Sequence, residues 1–402
     1  MSKVIHYSID DIDKIGANVN LIWGERSNGK SYQVKHKKAV IPFLQDSERY
    51  ISSYVDKEKI LKEFQTAGKR FILMRRFKEE INSSWIESYF SDVDVDKLTN
   101  GEYNMITMYR KELFLTFYDV ETHKSKRGAK IGYAVALSTE QNYAGGSYLD
   151  VSDIIFEEFM SRTTYLHDEP NKLLNFYSTV DRKRGTTKLW LVGNTITRVC
   201  PYIQDWGLNN IVFKQKQGEI KVLWIKTGDF DDDHIPIEIK IAVEHCKSTG
   251  TSSFVFGSHA KMLNKGEWQS DPQPKLPKSY KEYKMLYRFA FHYKTFTWLC
   301  EYLMDKETKD VIWFIYPFRG ELKKNIIVFS DIIKTSPYWQ KDIYNPLIKN
   351  KTLIELFKTF RENRIFYSSD LCGTEFKQSI DFEIRRWLKW VYKIQILLYA
   401  KI

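Results

Sequence analysis

Cysteine, proline and long apolar runs are all scarce in this sequence, and each shortage excludes something. The four cysteines among 402 residues, Cys200, Cys246, Cys300 and Cys372, lie 46 to 72 residues apart, and none forms a C-x-x-C pair. That spacing excludes a disulfide-stapled scaffold and a structural zinc, and predicts reduced, buried thiols. The longest apolar stretches are four to six residues, such as Phe71–Met74 and Ile396–Ala400. A bilayer-crossing helix needs ~18, so no membrane span is expected. The first ten residues reach polar and acidic side chains too early for the apolar core of a secretion signal, so a cytoplasmic protein is expected.

What is present is a chain able to bury cores: 43% of residues are hydrophobic, 15% are aromatic and only 10 are proline. At this length two or three compact units are expected, because a single core stops growing earlier. Lysine and arginine number 62 against 51 acidic residues, a net charge of +11. Most of the surplus sits in residues 281–402, which hold 22 basic and 14 acidic side chains. A polyanion partner such as nucleic acid fits that asymmetry, and so does a plain solvated face.

Short apolar strands alternate with polar or helix-like stretches at Val19–Trp23, Phe71–Met74, Tyr133–Leu137, Asp153–Phe156 and Lys188–Val192. The alternation predicts an α/β unit with a largely parallel sheet over residues 1–225. Clusters of Asp, Gly, Ser and Pro predict a linker at 226–280, carrying a small helical piece around Ile237–Cys246. Aromatic-rich strands at Tyr287–Leu303, Val311–Tyr316 and Asn325–Phe329 then predict a second α/β domain over 281–402. It would close with helices at Leu353–Asn363 and Phe376–Leu398.

Residues 24–31, Gly24-Glu25-Arg26-Ser27-Asn28-Gly29-Lys30-Ser31, match G-x-x-x-x-G-K-[ST] without interruption. They follow an apolar strand and precede a run, Tyr32–Val40, that can be helical. In such a loop backbone N–H groups curl round a β-phosphate and the start of the helix adds partial positive charge. Lys30 then reaches the β/γ oxygens and the Ser31 hydroxyl ligates Mg²⁺. Gly24, Ser27, Asn28, Gly29, Lys30, Ser31 and Tyr32 are the candidate nucleotide-binding residues.

Hydrolysis needs carboxylates at the end of another buried strand. Asp153-Ile154-Ile155-Phe156-Glu157-Glu158 supplies three apolar residues followed by two acids. Glu157 is the expected metal-holding acid, together with Ser31, and Glu158 is expected to orient or deprotonate the attacking water. The pair also suits the exposed start of a helix; its coupling to a phosphate loop favours the strand end. Glutamate at 157, where aspartate is usual, lengthens the metal arm by one methylene. Arg182 and Arg184, in Asp181-Arg182-Lys183-Arg184, are candidates for a cation that meets the developing charge from a neighbouring subunit, and they equally suit a solvated turn.

Together these segments resemble the genome-packaging motor ATPases, or encapsidation proteins, of small short-tailed phages of the phi29-like group. The likeness runs through Asn20–Tyr32, Phe71–Lys78, Gly132–Ser138, Ile154–Phe159, Leu173–Arg184 and Leu191–Tyr202, and continues more weakly through Asn325–Ile332 and Leu353–Phe366. It implies ATP as the nucleotide, with Mg²⁺, and an N-terminal ASCE-type P-loop ATPase domain. A linker then leads to a C-terminal RNase H-like domain that has lost nuclease function. It implies phosphate contact by Arg26, metal binding at Glu157, catalysis by Glu158, a trans-acting finger at Arg182 and γ-phosphate sensing by Asn194. It further implies a ring-shaped homopentamer docked on the portal, in some members through a structural packaging RNA, driving double-stranded DNA into a procapsid in the host cytoplasm. Glu301 and Asp331 alone do not make a two-metal nuclease site among the aromatic strands around them. The stripe Arg385-Arg386-Trp387 with Lys389, Trp390 and Lys393 suits either a nucleic-acid backbone or an amphipathic helix with buried tryptophans. His123–Arg127 reads as a loop near a ring channel or as a solvated one. Two other readings are a terminase-type or helicase-like ATPase with a live nuclease, and an adaptor that binds nucleotide without turnover.

Overall fold

Strands with apolar, buried middles build the centre of the first sheet. The computed structural model describes residues 7–44, 69–143, 145–161, 165–195, 197–230, 234, 236–247, 271–323, 326–330, 339–341 and 364–380. These fall into two units, one containing the described residues up to 195 and from 210 to 247, the other containing 197–209 and those from 271 onward.

In the first unit, strands β1 (Val19–Gly24), β2 (Arg70–Arg75), β3 (Met105–Tyr109), β4 (Glu112–Asp119), β5 (Lys124–Ala136), β6 (Val151–Glu157), β7 (Lys188–Asn194), β8 (Ile220–Phe230) and β9 (Pro236–His245) share one sheet. Its order is β3-β4-β5-β2-β6-β7-β1-β9-β8. From β5 to β9 all neighbours pair in parallel, while β3-β4-β5 and β8-β9 are antiparallel. Parallel strands must be covered on both faces, and β1, β2, β6 and β7 are buried along almost their whole length. The covering helices include α1 (Asp10–Lys14), α2 (Lys30–Lys35), α3 (Ser83–Phe90), α4 (Val95–Leu98) and α5 (Glu169–Asp181). Asn82 caps α3 by accepting from the Trp85 N–H, and α5 buries Leu173, Phe176, Tyr177 and Val180 against the sheet.

Two expectations are corrected here. The segment Ile237–Cys246 is not a helical piece: Ile237, Ile239, Ile241 and Val243 alternate with Glu238, Lys240 and Glu244, the period of a strand, and β9 pairs in parallel with β1. Nor does a linker begin at 226, since that residue lies inside β8, which completes the same sheet. Flanking Asp, Gly and Ser clusters concealed a strand whose pairing partner is more than 200 residues away.

At the end of β9 the Tyr7 hydroxyl donates to Glu244 Oε2 at 2.7 Å, and burial pushes the Glu244 carboxyl up to about 7. A raised carboxyl makes the fold hold its proton more tightly than the unfolded chain does. Its contribution is complete below about pH 4 and is lost as pH rises towards 7. Glu244→Gln removes that dependence. Relative to the variant, the wild type is expected to lose on the order of 3 kcal/mol between pH 4 and 8, measured by denaturant unfolding at both pH values. Parallel behaviour of the two proteins contradicts it.

In the second unit, β10 (Tyr283–Tyr293), β11 (Phe296–Asp305), β12 (Val311–Pro317), β13 (Val328–Ser330), β14 (Trp339–Lys341) and β15 (Ile365–Tyr367) form a sheet in the order β14-β13-β10-β11-β12-β15. The meander β10-β11-β12 is antiparallel, and β13, β14 and β15 join it in parallel. The stretch expected as one strand at Tyr287–Leu303 is thus two, turning at Lys294, whose φ of 53° is left-handed. Phe289, Phe291, Trp298, Trp313, Phe329 and Phe376 fill one core. Residues 370–380 are helical, so this helix begins before Phe376. Leu353–Asn363, the remainder of Phe376–Leu398, Asp331 and the stripe at Arg385–Lys393 lie outside the described residues. All four cysteines are buried thiols. No helix among the described residues is long and apolar enough to cross a membrane.

Candidate functional site

Strands β1, β7 and β6 are adjacent and parallel, so their carboxyl ends open on one edge, where α/β sheets bind ligands. From β1 the chain turns through residues 24–29 into α2. Gly29, at the start of α2, has φ 93°, a left-handed conformation that a side chain would strain. The Asn28 side chain accepts from the Lys30 N–H at 3.3 Å and from its ammonium at 3.0 Å. Lys30 Nζ also donates to the Glu25 carbonyl and to Asn194 Oδ1, the latter at 3.3 Å. Burial lowers the Lys30 ammonium below its ordinary value. The Thr195 N–H donates to the Gly24 carbonyl at 2.8 Å, tying the end of β7 to the loop.

Across this edge the Ser31 hydroxyl donates to Glu157 Oε2 at 3.0 Å, while the Tyr89 hydroxyl, from α3, donates to Oε1 at 2.7 Å. Glu157 is buried, and burial raises its carboxyl above the usual range. A hydroxyl and a carboxylate at hydrogen-bond distance form a hard oxygen donor pair of the kind Mg²⁺ takes, so the residues present fit that ion. Lys35 anchors the tyrosine from behind, donating to the Tyr89 carbonyl and pairing with Asp92.

Glu158 follows directly with φ 58°, a left-handed conformation costly for glutamate, of order 1 kcal/mol or more. Its Oε2 accepts from Arg75 Nη2 at 2.9 Å, and the side chain remains about half exposed. Arg76 holds the strained turn: Nε donates to both Glu169 oxygens, at 3.0 and 2.9 Å, and the other nitrogens reach the Glu158 and Phe159 carbonyls.

The structure therefore brings together Asn28, Lys30, Ser31, Glu157 and Asn194, with Glu158 beside them. Arg26 and Ser27 are exposed on the loop, and Tyr32, also exposed, stacks on His36. Arg182 caps the far end of α5, six residues before β7 begins, on the edge of the sheet opposite Lys30, where Nη2 donates to the Gly146 carbonyl at 2.6 Å. Arg184 is engaged more fully, bonding the carbonyls of Asp181, Leu149, Tyr148, Val151 and Val180 and the Thr187 hydroxyl. Tyr89, Arg75 and Arg76 carry no role in the sequence reading. Two arginines after an apolar strand were a usable signal for the last two, whereas nothing local marks Tyr89.

A family described as Podovirus DNA encapsidation protein (Gp16) matches residues 51–297, more than half of the chain. The chain belongs to this family. Glu157, Glu158, Arg182 and Asn194 fall inside the matched stretch, and the phosphate loop precedes it. Among encapsidation proteins, the chain is 26% identical over 211 residues to the DNA packaging proteins of Bacillus phage phi29 and Bacillus phage PZA, 52% of this chain and 52% of each of those. It spans about half the length of these curated relatives. The solved bacteriophage Phi-29 viral genome packaging motor assembly matches with a TM-score of 0.50 at 20% identity, over 95% of this chain and 98% of that one, a likeness of fold.

Proposed function

We propose that this encapsidation protein is the ATPase of a genome-packaging motor, hydrolysing ATP with Mg²⁺ to drive double-stranded DNA through a portal into a procapsid. One observation carries the reading: Lys30, Ser31, Glu157 and Asn194 converge at the carboxyl ends of three adjacent parallel strands in a chain of this family. The strand bearing the acids stands one strand away from the strand bearing the loop, the order of an ASCE-type ATPase.

Phosphate oxygens would take over the Lys30 donors from Glu25, Asn28 and Asn194. Mg²⁺, held by Ser31 and Glu157, would neutralise charge on the β and γ oxygens. Arg75 pairs with Glu158 Oε2, so accepting a proton from water falls to Oε1 or follows opening of that pair. Arg182 lies on the opposite edge from its own phosphate loop, which supports service to a neighbour's γ-phosphate in a ring. The many carbonyls bound by Arg184 support Arg182 over it as the finger. Arg26 and Tyr32 remain proposed nucleotide contacts.

For the second unit, a three-stranded meander with β13 and β14 added in parallel beside β10 supports an RNase H-like reading. Glu301 accepts from Arg288 and from the hydroxyls of Tyr280 and Tyr316, at 2.6 Å and 2.8 Å for the tyrosines, so its charge is spoken for, and we propose no nuclease activity. Ring size, portal docking, a packaging RNA in some relatives and action in the host cytoplasm belong to the same proposal.

The test is ATP turnover by the purified chain as Mg²⁺ is varied. Wild type is expected to hydrolyse ATP. Tyr89→Phe, which frees one oxygen of Glu157, is expected to need roughly 10- to 100-fold more Mg²⁺ for half-maximal rate. A wild type without turnover contradicts the function, and an unchanged Mg²⁺ dependence contradicts the placement of Glu157 by Tyr89.

A further inference from the structure

One face of the β3-β4-β5 arm presents cations interleaved with aromatic rings to solvent. Directly opposed residues share a face, and the pairs Thr107 with Phe114, Tyr109 with Glu112, Phe114 with Lys130 and Thr116 with Arg127 define it. The other face, Ile106, Leu113, Leu115 and Ile131, is buried in the core. That burial fixes the register and leaves the outward set free to serve a partner.

On the outward face the Arg127 guanidinium lies 4.1 Å from the Tyr109 ring centre and 5.3 Å from that of Phe114, and Arg110 lies 5.2 Å from Tyr109. Lys130 sits 4.7 Å from the Tyr133 ring. Tyr109 is 45% exposed. Lys130 pairs with Glu112, whereas among the described residues no carboxylate pairs with Arg110 or Arg127.

A guanidinium held over a ring loses less side-chain entropy when it bonds a phosphate. Two such groups without carboxylate partners are prepared anion ligands. Because the Arg127 and Arg110 guanidiniums already lie over Tyr109, that ring is poorly placed to stack on unpaired bases, which is how single strands are held. We propose that this face, through Tyr109, Arg110, Arg127 and Lys130, grips the phosphate backbone of duplex DNA. It deepens the packaging reading and rests on it for the identity of the polyanion. Contacts of this kind ignore sequence, as a translocating motor requires.

The experiment titrates the full chain against a labelled random-sequence duplex at several salt concentrations. Wild type is expected to bind with affinity that falls linearly on a log–log plot. Arg110→Ala/Arg127→Ala is expected to lower the magnitude of that slope by about 1.8 and to weaken low-salt binding roughly 10-fold or more, with DNA-independent ATP turnover unchanged. Arg110→Lys/Arg127→Lys should keep the slope, because charge is retained, and bind a few-fold more weakly. If wild type binds duplex and the alanine pair matches it in slope and affinity, this surface is refuted while the packaging reading stands. A wild type that hydrolyses ATP yet binds no duplex refutes both the surface and the DNA partner. Loss in the alanine pair of binding to a hairpin RNA, with duplex never bound, overturns the proposal in favour of RNA.

Discussion

Glu158→Gln is expected to leave ATP binding intact and to slow hydrolysis by about 10²- to 10⁴-fold, the range for removing a general base. Glutamine keeps the length of the side chain and can still accept from Arg75, so the strained turn held by Arg76 should survive. What it loses is the capacity to take a proton from water. Equilibrium binding of ATP and steady-state turnover, measured on the same preparations, separate the two effects. Near-normal turnover would place the base elsewhere, and ATP binding without turnover in the wild type itself would favour an adaptor whose nucleotide is structural.

Arg182→Ala should reduce turnover in the assembled ring by roughly 10³-fold or more, as removal of an arginine finger does, while leaving stability almost unchanged. The side chain and its bond to the Gly146 carbonyl are both exposed. Because Arg182 lies across the sheet from Lys30, the effect is expected to be intermolecular. Mixing Arg182→Ala with Lys30→Ala subunits should restore part of the activity, because some interfaces then pair an intact loop with an intact finger. Failure to recover in mixed assemblies, with each variant still able to assemble, contradicts trans action. Arg184→Ala should behave differently, lowering stability through the carbonyls it leaves without a donor.

The parts of this site that were legible in the sequence are those whose chemistry dictates neighbours in the chain. The phosphate loop needs its glycines, lysine and serine at fixed spacing, and the acids must follow an apolar strand, so Lys30, Ser31, Glu157 and Glu158 could be read directly. Tyr89 could not, because its hydroxyl reaches Glu157 across 68 residues and depends on where α3 packs. The two arginines at the end of the β2 segment, Arg75 and Arg76, were visible as charges without an address; only the parallel pairing of β2 with β6 puts Arg75 beside Glu158. Strand β9 was misread for a related reason. Its alternation is that of a strand, but the partner that makes it one is β1, near the other end of the unit, and flanking turn residues dominate a local reading.

Triphosphate cleavage powering DNA movement is the central claim, and it is tested most directly by protection of DNA from nuclease. Procapsids, DNA and ATP are combined with wild type or Glu158→Gln, and protected DNA and released phosphate are followed together. Wild type should protect DNA in proportion to the phosphate it releases, and Glu158→Gln should do neither while still binding ATP. Protection without phosphate release, or equal protection by Glu158→Gln, would contradict the claim.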